Sequence, residues 1–426
     1  MHIAAAASLG GELEFAGDKS ISHRLVLISL LNKGQIEITN LSPCEDVKRS
    51  LRAVEQLGVT VSWKKRSVLL QNPGSLARQG HYQIDCGNSG TTARLLTGIL
   101  AGQPGFYRLI GDESLSRRPM QRIIEPLNAM NANISACDNL PIEIAGSRSL
   151  RAVDFNNRTG SAQVKSAVIL AALQAFGETS IFEQRSGRDH TERMLSRLNM
   201  PLNVTSDGIT IKGPAELTGD YHFDVPGDIS SAAFFAVAAS ILPDSQLMLK
   251  NVLLNHTRTG FIKVLQRMGA RIDTHEIAGA WEPHGNISIK SARLNATSID
   301  ADEVPSLIDE LPILAVAMAF ANGTSRVTGA GELRYKETDR IRDLISQLKT
   351  AGVDCRQFED GFEITGPTVI DRAVCLDSFN DHRLAMSFAV MALNSSEGID
   401  IKNTDCIDIS FPEFFATLFK CLRLKN

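Results

Sequence analysis

Gly17-Asp18-Lys19-Ser20-Ile21-Ser22-His23-Arg24 places two permanent cations, two hydroxyls and a glycine just before the apolar run Leu25 to Leu31. That run reads as a helix, which Ser20 or Ser22 can cap. The backbone N–H groups left over at such a start favour an anion. Lys19 and Arg24 would add charge-assisted hydrogen bonds to a phosphate or carboxylate. For one octet alone, a capped surface helix with solvated charges competes with this reading. The octet has company. Gly87-Asn88-Ser89-Gly90-Thr91-Thr92-Ala93-Arg94, Arg117-Arg118-Pro119-Met120, Ser161-Ala162-Gln163-Val164-Lys165-Ser166 and Ser186-Gly187-Arg188-Asp189-His190 all precede helical patterns. Pro119 suits a helix start. Five polar, mostly basic helix starts in under two hundred residues favour a shared anionic ligand.

The second half of the chain carries different chemistry. Asp309-Glu310 stands at the head of an apolar helix. An acid there is favoured by the helix dipole and can serve as a cap, and beside a basic site it is also a candidate general base. In Lys336-Glu337-Thr338-Asp339-Arg340 the two cations are four apart and can share a helix face, with Glu337 oriented by either one. An exposed ion-pair lattice is the competing reading. Asn380-Asp381-His382-Arg383 sets an imidazole beside an arginine before another apolar helix, a pairing suited to anions.

The elements that must position these residues recur. A charged amphipathic helix ends in a turn and is followed by a short β-like segment near Gly58, Asn131, Asn199, Gly269, Gly352 and Cys421. The spacing is about seventy residues, longer than the usual solenoid periods of about 20–50. Each of the six copies also holds an apolar helix: Leu25–Leu31, Thr92–Leu100, Ala167–Ala175, Ala232–Leu242, Leu311–Ala321 and Leu384–Leu393. Helices apolar all round are buried. Six copies group most simply as three and three, which predicts two similar α/β domains with the ligand in a cleft between them.

Composition narrows the function. The 426 residues allow two or three domains, with 43% hydrophobic and 22% charged residues. A formal net charge of −4 argues against a broad nucleic-acid surface and suits a small, charged ligand. The seven cysteines are scattered without a C-x-x-C pair, which reads as reduced thiols in a cytoplasmic protein. No signal peptide is evident, and the longest apolar runs, Ala232 to Leu242 and Leu311 to Ala321, are too short to span a bilayer. No metal, Walker, Rossmann or nucleophile-elbow motif occurs, so neither metal nor cofactor is expected.

Taken in order from Gly17 to Pro412, these segments resemble the 5-enolpyruvylshikimate-3-phosphate synthases. The wording Gly17 to Arg24 and Arg188-Asp189-His190-Thr191-Glu192 is more similar to the second bacterial class. The resemblance implies the enolpyruvyl transferase fold: two domains, each of three βαβαββ units, residues 18–227 forming one, 1–17 with 228–426 the other. It implies transfer of the enolpyruvyl group of phosphoenolpyruvate to the 5-hydroxyl of shikimate 3-phosphate, by a monomer with no nucleic-acid or membrane partner. Shikimate 3-phosphate would be held by Lys19, Ser20, Arg24, Ser161, Ala162, Gln163 and Arg188, with Asp309 and Lys336. Phosphoenolpyruvate would be surrounded by Lys19, Asn88, Gly90, Thr91, Arg118, Gln163, Arg340, His382 and Arg383. Asp309 would act as base, and Glu337 with Lys19 would handle the proton at the methylene carbon. The resemblance also implies a glyphosate target, and Gly90 leaves room for that molecule near the phosphoenolpyruvate site.

Two departures stand out. No lysine precedes Phe411-Pro412, and Ala162 stands where many members have serine. The related UDP-N-acetylglucosamine enolpyruvyl transferases share the architecture but rely on a loop cysteine near the Arg-Pro segment, and Gly105 to Met120 holds none. A non-catalytic anion-binding protein on the same scaffold would need the basic starts but neither Asp309 nor Glu337.

Overall fold

The computed structural model describes all residues except 75–79, 159, 184–186 and 424–426. Ser186 of the fifth basic segment and Leu424 of the last expected strand lie outside the described residues. The chain divides into two compact units, Gly17–Val225 and Met1–Ala16 with Pro226–Asn426.

One sheet pattern recurs in the Gly17–Val225 unit. Strand His81–Asp85 leads through helix Gly90–Ala101 to a parallel neighbour, Gly105–Ile110. Helix Gln121–Ala129 follows, then the hairpin of Asn133–Ser135 and Ile142–Gly146, whose second strand adds antiparallel to Gly105–Ile110. Asp154–Asn157, Gly177–Glu183, Leu202–Thr205 and Gly208–Gly213 repeat the arrangement around helices Ala162–Ala172 and His190–Arg197. The remaining sheet borrows its first strand, Tyr221–Asp224, from the end of the unit and pairs it parallel with Gln35–Thr39. Thr60–Trp63 and Ser67–Gln71 complete it. Each copy is thus a βαβαββ element.

The other unit follows the same rule twice. Ser8–Glu14 pairs parallel with Gln246–Leu253, joined by Arg271–Ile277 and His284–Lys290. Ser298–Ile299, Gly323–Val327, Asp354–Gln357 and Phe362–Gly366 form the second sheet. The sixth copy departs from expectation. Val374–Asp377 and Ile399–Lys402 pair in parallel, but the antiparallel neighbour is His2–Ile3 from the start of the chain. The strand after helix Phe414–Cys421, Leu422–Arg423, instead pairs with Ser8–Leu9 of another sheet.

Apolar composition explains which helices are central. Every residue of Leu311–Ala319 and of His382–Leu393 is buried, and Gly90–Ala101 is buried except at Thr91. Close approach demands glycine at one point: a Cβ on Gly98 would lie 2.2 Å from Ala167 O of the neighbouring helix. The amphipathic helices bury one face only, as in Glu45–Gln56, where Val47, Leu51 and Val54 are buried while Arg52 and Glu55 are exposed.

Candidate functional site

The basic helix starts of the Gly17–Val225 unit meet through their side chains. Lys19 opens helix Lys19–Ile28, and its Nζ donates to Asp46 Oδ2 at 3.1 Å. The cap is Asp18, which accepts from Ile21 N at 2.9 Å; neither Ser20 nor Ser22 caps. The reason is position, since the carboxylate sits one residue before the first helical residue and reaches the free N–H groups directly. Arg188 Nη1 donates to Ser20 Oγ at 3.4 Å. Arg24 is buried. Its Nε donates to Thr191 Oγ1 at 2.8 Å, Nη1 to Ser20 O at 2.9 Å and Nη2 to Ser166 Oγ at 3.0 Å.

Ser89 caps helix Gly90–Ala101 and Ser161 caps Ala162–Ala172. Between these starts, Gln163 Nε2 donates to Thr91 Oγ1 at 2.9 Å and Gln163 Oε1 accepts from Arg94. Arg118 Nη2 donates to Asn88 Oδ1 at 2.7 Å. A Cβ on Gly90 would stand 3.1 Å from Arg94 Nη1 and 3.4 Å from Arg118 Nη1, so glycine keeps space beside two guanidiniums. Pro119 does not open a helix. Leu115–Arg117 forms a 3₁₀ turn, Arg118 is extended, and the α-helix begins at Gln121. Ala162 is the first residue behind the Ser161 cap and contributes no side-chain donor.

The other unit gathers Asp309, Lys336, Glu337, Arg340 and Arg383. Lys336 Nζ donates to Asp309 Oδ1 at 3.3 Å. Arg340 Nη1 lies 3.7 Å from Asp309 Oδ1, and Arg383 Nη2 lies 3.8 Å from Oδ2. Arg383 Nη1 also donates to the Asp309 carbonyl at 2.7 Å. Three cations thus surround one carboxylate. Arg340 Nη2 donates to Glu337 Oε2 at 2.5 Å, and its Nε donates to Asp381 Oδ2 at 2.7 Å. Burial opposes the charge of Arg340, but Asp381 and Glu337 overcome it and hold the guanidinium pKa above its ordinary value. His382 follows the cap residue Asp381 and is buried.

Two local expectations fail here. Asp309 and Glu310 lie in a 3₁₀ turn, Ile308–Glu310, and neither side chain caps helix Leu311–Ala319. Asp309 is drawn to the cations, and Glu310 Oε1 accepts from Ser230 Oγ at 2.5 Å, a hydroxyl that also receives Arg258 Nη2 at 3.0 Å. Lys336 and Arg340 do not share a helix face, because the helix starts only at Arg340 after the cap Asp339 and Lys336 is extended. They converge on Asp309 all the same.

Several participants escaped the sequence reading. Arg94 closes the Gly87 to Arg94 segment one helical turn after Gly90, a spacing that could have given it a place in the site, which the sequence reading did not. Asp46, Ser230 and Arg258 come from distant segments and gave no local signal, and Asp381 stands in the Asn380 to Arg383 segment, where nothing pointed to Arg340. Among the described residues no group of three or more His, Cys, Asp or Glu could hold a metal ion.

The sequence pattern of the family described as EPSP synthase (3-phosphoshikimate 1-carboxyvinyltransferase) matches residues 3–418. The chain belongs to this family. A 3-phosphoshikimate 1-carboxyvinyltransferase from Anaeromyxobacter sp. (strain Fw109-5) is 44% identical over 416 residues, covering 96% of this chain and 95% of that protein. A solved EPSP synthase from Acinetobacter baumannii superposes with a TM-score of 0.85 at 36% identity, covering 99% of this chain and 98% of its own. The enolpyruvyl transferase NikO from Streptomyces tendae, at 14% identity, matches with a TM-score of 0.80 over 99% of this chain and 96% of its own. At that identity it speaks for the fold alone, which is the enolpyruvyl transferase fold among EPSP synthase family members as well.

Proposed function

We propose that this chain transfers the enolpyruvyl group of phosphoenolpyruvate to the 5-hydroxyl of shikimate 3-phosphate and releases phosphate. The observation that carries the reading is Asp309 set among Lys336, Arg340 and Arg383 in a chain that matches EPSP synthase over residues 3–418. Both substrates are polyanions, and both units supply fixed cations.

In this reading each named residue meets one or both substrates. Lys19, Ser20, Arg24, Ser161, Gln163 and Arg188 hold shikimate 3-phosphate, with Ala162 contributing backbone only. Lys19, Asn88, Gly90, Thr91, Arg118, Gln163, Arg340, His382 and Arg383 surround phosphoenolpyruvate, and Lys336 touches both ligands. Asp309 accepts the proton of the 5-hydroxyl as its oxygen bonds to C2 of phosphoenolpyruvate. Glu337, with Lys19, delivers a proton to the methylene carbon. The product of this addition is a tetrahedral ketal phosphate. Glu337 then takes a methyl proton back as the bond from C2 to the phosphate oxygen breaks, and the phosphate leaves with the proton held by Asp309, giving the enol ether and inorganic phosphate. Cations already in place stabilise the charge that develops, without reorganisation at the moment of reaction.

The seven cysteines are all free thiols, Cys137 and Cys375 exposed, which supports a reducing compartment, the cytoplasm. We take the working form to be a monomer, which light scattering of the purified chain checks.

A phosphate-release assay with each substrate omitted in turn tests the function. Release from phosphoenolpyruvate is expected only when shikimate 3-phosphate is present. Release with UDP-N-acetylglucosamine in its place, or none with either acceptor, overturns the reading.

A further inference from the structure

Helix Glu45–Gln56 carries no residue assigned to a substrate, yet it reaches two of the helix starts that do. Asp46 holds Lys19 at 3.1 Å. One turn later, Ser50 Oγ lies 2.8 Å from His23 Nδ1 and 2.8 Å from Thr92 Oγ1. Thr92 Oγ1 donates to Ser89 Oγ at 2.7 Å, and Ser89 Oγ also accepts Thr92 N at 3.1 Å as the cap of helix Gly90–Ala101. His23, Ser50, Thr92 and Ser89 are all buried.

Counting protons gives this chain a direction. Thr92 has one hydroxyl proton and gives it to Ser89, so Ser50 must donate to Thr92. Ser50 Oγ is then left as the acceptor toward His23, and His23 Nδ1 must carry the proton. The other ring nitrogen, Nε2, is buried and has no hydrogen-bond partner among the described residues. A second proton there would make a buried cation beside Lys19 and Arg24, and burial followed by those two charges holds the imidazole pKa well below 6.5. His23 is a neutral donor of fixed tautomer.

We propose that His23, acting through Ser50 and Thr92, is a positioning residue that fixes the Ser89-capped helix start, and with it Asn88, Gly90 and Thr91, relative to Lys19. The inference rests on the functional reading above for the ligand that these residues meet, phosphoenolpyruvate. Loss of the donor leaves Ser50 free to turn its oxygen away from Thr92, so the cap and the loop before it lose their register with Lys19. Of the residues assigned to shikimate 3-phosphate, Arg24, Ser161 and Arg188 lie outside the chain of hydroxyls, and these keep its binding.

The test compares wild type with His23→Ala, His23→Asn and Ser50→Ala, each assayed for KM of both substrates. His23→Asn keeps an N–H donor close to the Nδ1 position. His23→Ala and Ser50→Ala are expected to raise KM for phosphoenolpyruvate about tenfold with less than a twofold change for shikimate 3-phosphate, and His23→Asn to restore most of the loss. The ¹⁵N spectrum of the wild-type imidazole is expected to show a protonated Nδ1 and a bare Nε2, a readout that survives if a variant does not fold. Equal rises in both KM values, no rise at all, or an Nε2–H tautomer overturns the proposal. A wild-type chain that turns over neither acceptor sinks the functional reading instead, and the spectrum then decides the hydrogen-bond chain by itself.

Discussion

Arg24 and Arg340 are both buried guanidiniums near a helix start, 4% and 1% exposed, but the groups that bond them differ. Arg24 is held by two hydroxyls and a carbonyl. Arg340 is held by Asp381 and Glu337, with Asp309 at 3.7 Å. The hydroxyl and carbonyl bonds of Arg24 fix the plane and direction of its guanidinium. Carboxylates offset the charge, and the arginine holds the acids in place. A basic residue in a motif thus has two distinct uses, and its partners decide which.

The largest expected effect falls on the acid at the centre of the second cluster. Asp309→Ala should lower kcat by roughly 10²- to 10⁴-fold while the chain still binds both substrates, read by phosphate release and by calorimetric titration. Unchanged turnover would remove the base assignment and with it the contrast. Next comes Arg340→Met. It strands Asp381, which is fully buried, and should cost about 3–5 kcal/mol of stability, seen as a lower urea midpoint. Arg24→Gln sharpens the comparison from the other side. Ser166 Oγ and Thr191 Oγ1 already lie 2.7 Å apart and can bond each other when the guanidinium is gone. Stability should therefore fall by only about 1 kcal/mol, whereas KM for shikimate 3-phosphate should rise roughly 10- to 100-fold for the lost charge-assisted bonds. A stability loss as large as that of Arg340→Met would erase the distinction.

The smallest effect concerns pH. Folded His23 binds a proton less readily than the unfolded chain, whose imidazole titrates near 6.5. Its contribution to stability is complete above about pH 6.5 and is lost as pH falls from there toward the lower folded value, because the unfolded state takes up the extra proton. Thermal midpoints of wild type should decline through that range more steeply than those of His23→Asn.

The helix starts were legible because each is a short local pattern. Lys19 to Arg24, Asn88 to Thr91 and Ser161 to Gln163 fall where expected, and the buried helices follow from runs such as Leu311 to Ala319. Errors of detail came from neighbours with similar chemistry: Asp18 outcompeted Ser20 and Ser22 as a cap, and Asp309 and Glu310 satisfy side chains rather than backbone. What could not be read was pairing across long sequence distances. Nothing in His2–Ile3 announces that it lies against Ile399–Asp400, and nothing in Ser50 announces that it joins His23 to Thr92. Such contacts depend on the packed sheets and helices that bring the segments together.

The strand Ser8–Glu14 pairs with Gln246–Leu253 and with Leu422–Arg423. During synthesis, residues 17–225 leave the ribosome as one uninterrupted piece with all their partners present, and can fold as they emerge. The first sixteen residues cannot. They must wait, unpaired, while more than two hundred codons are read, and their other partner, Leu422–Arg423, comes later still. Early termination therefore spares one lobe and leaves the other with an open sheet edge, the form most prone to aggregate.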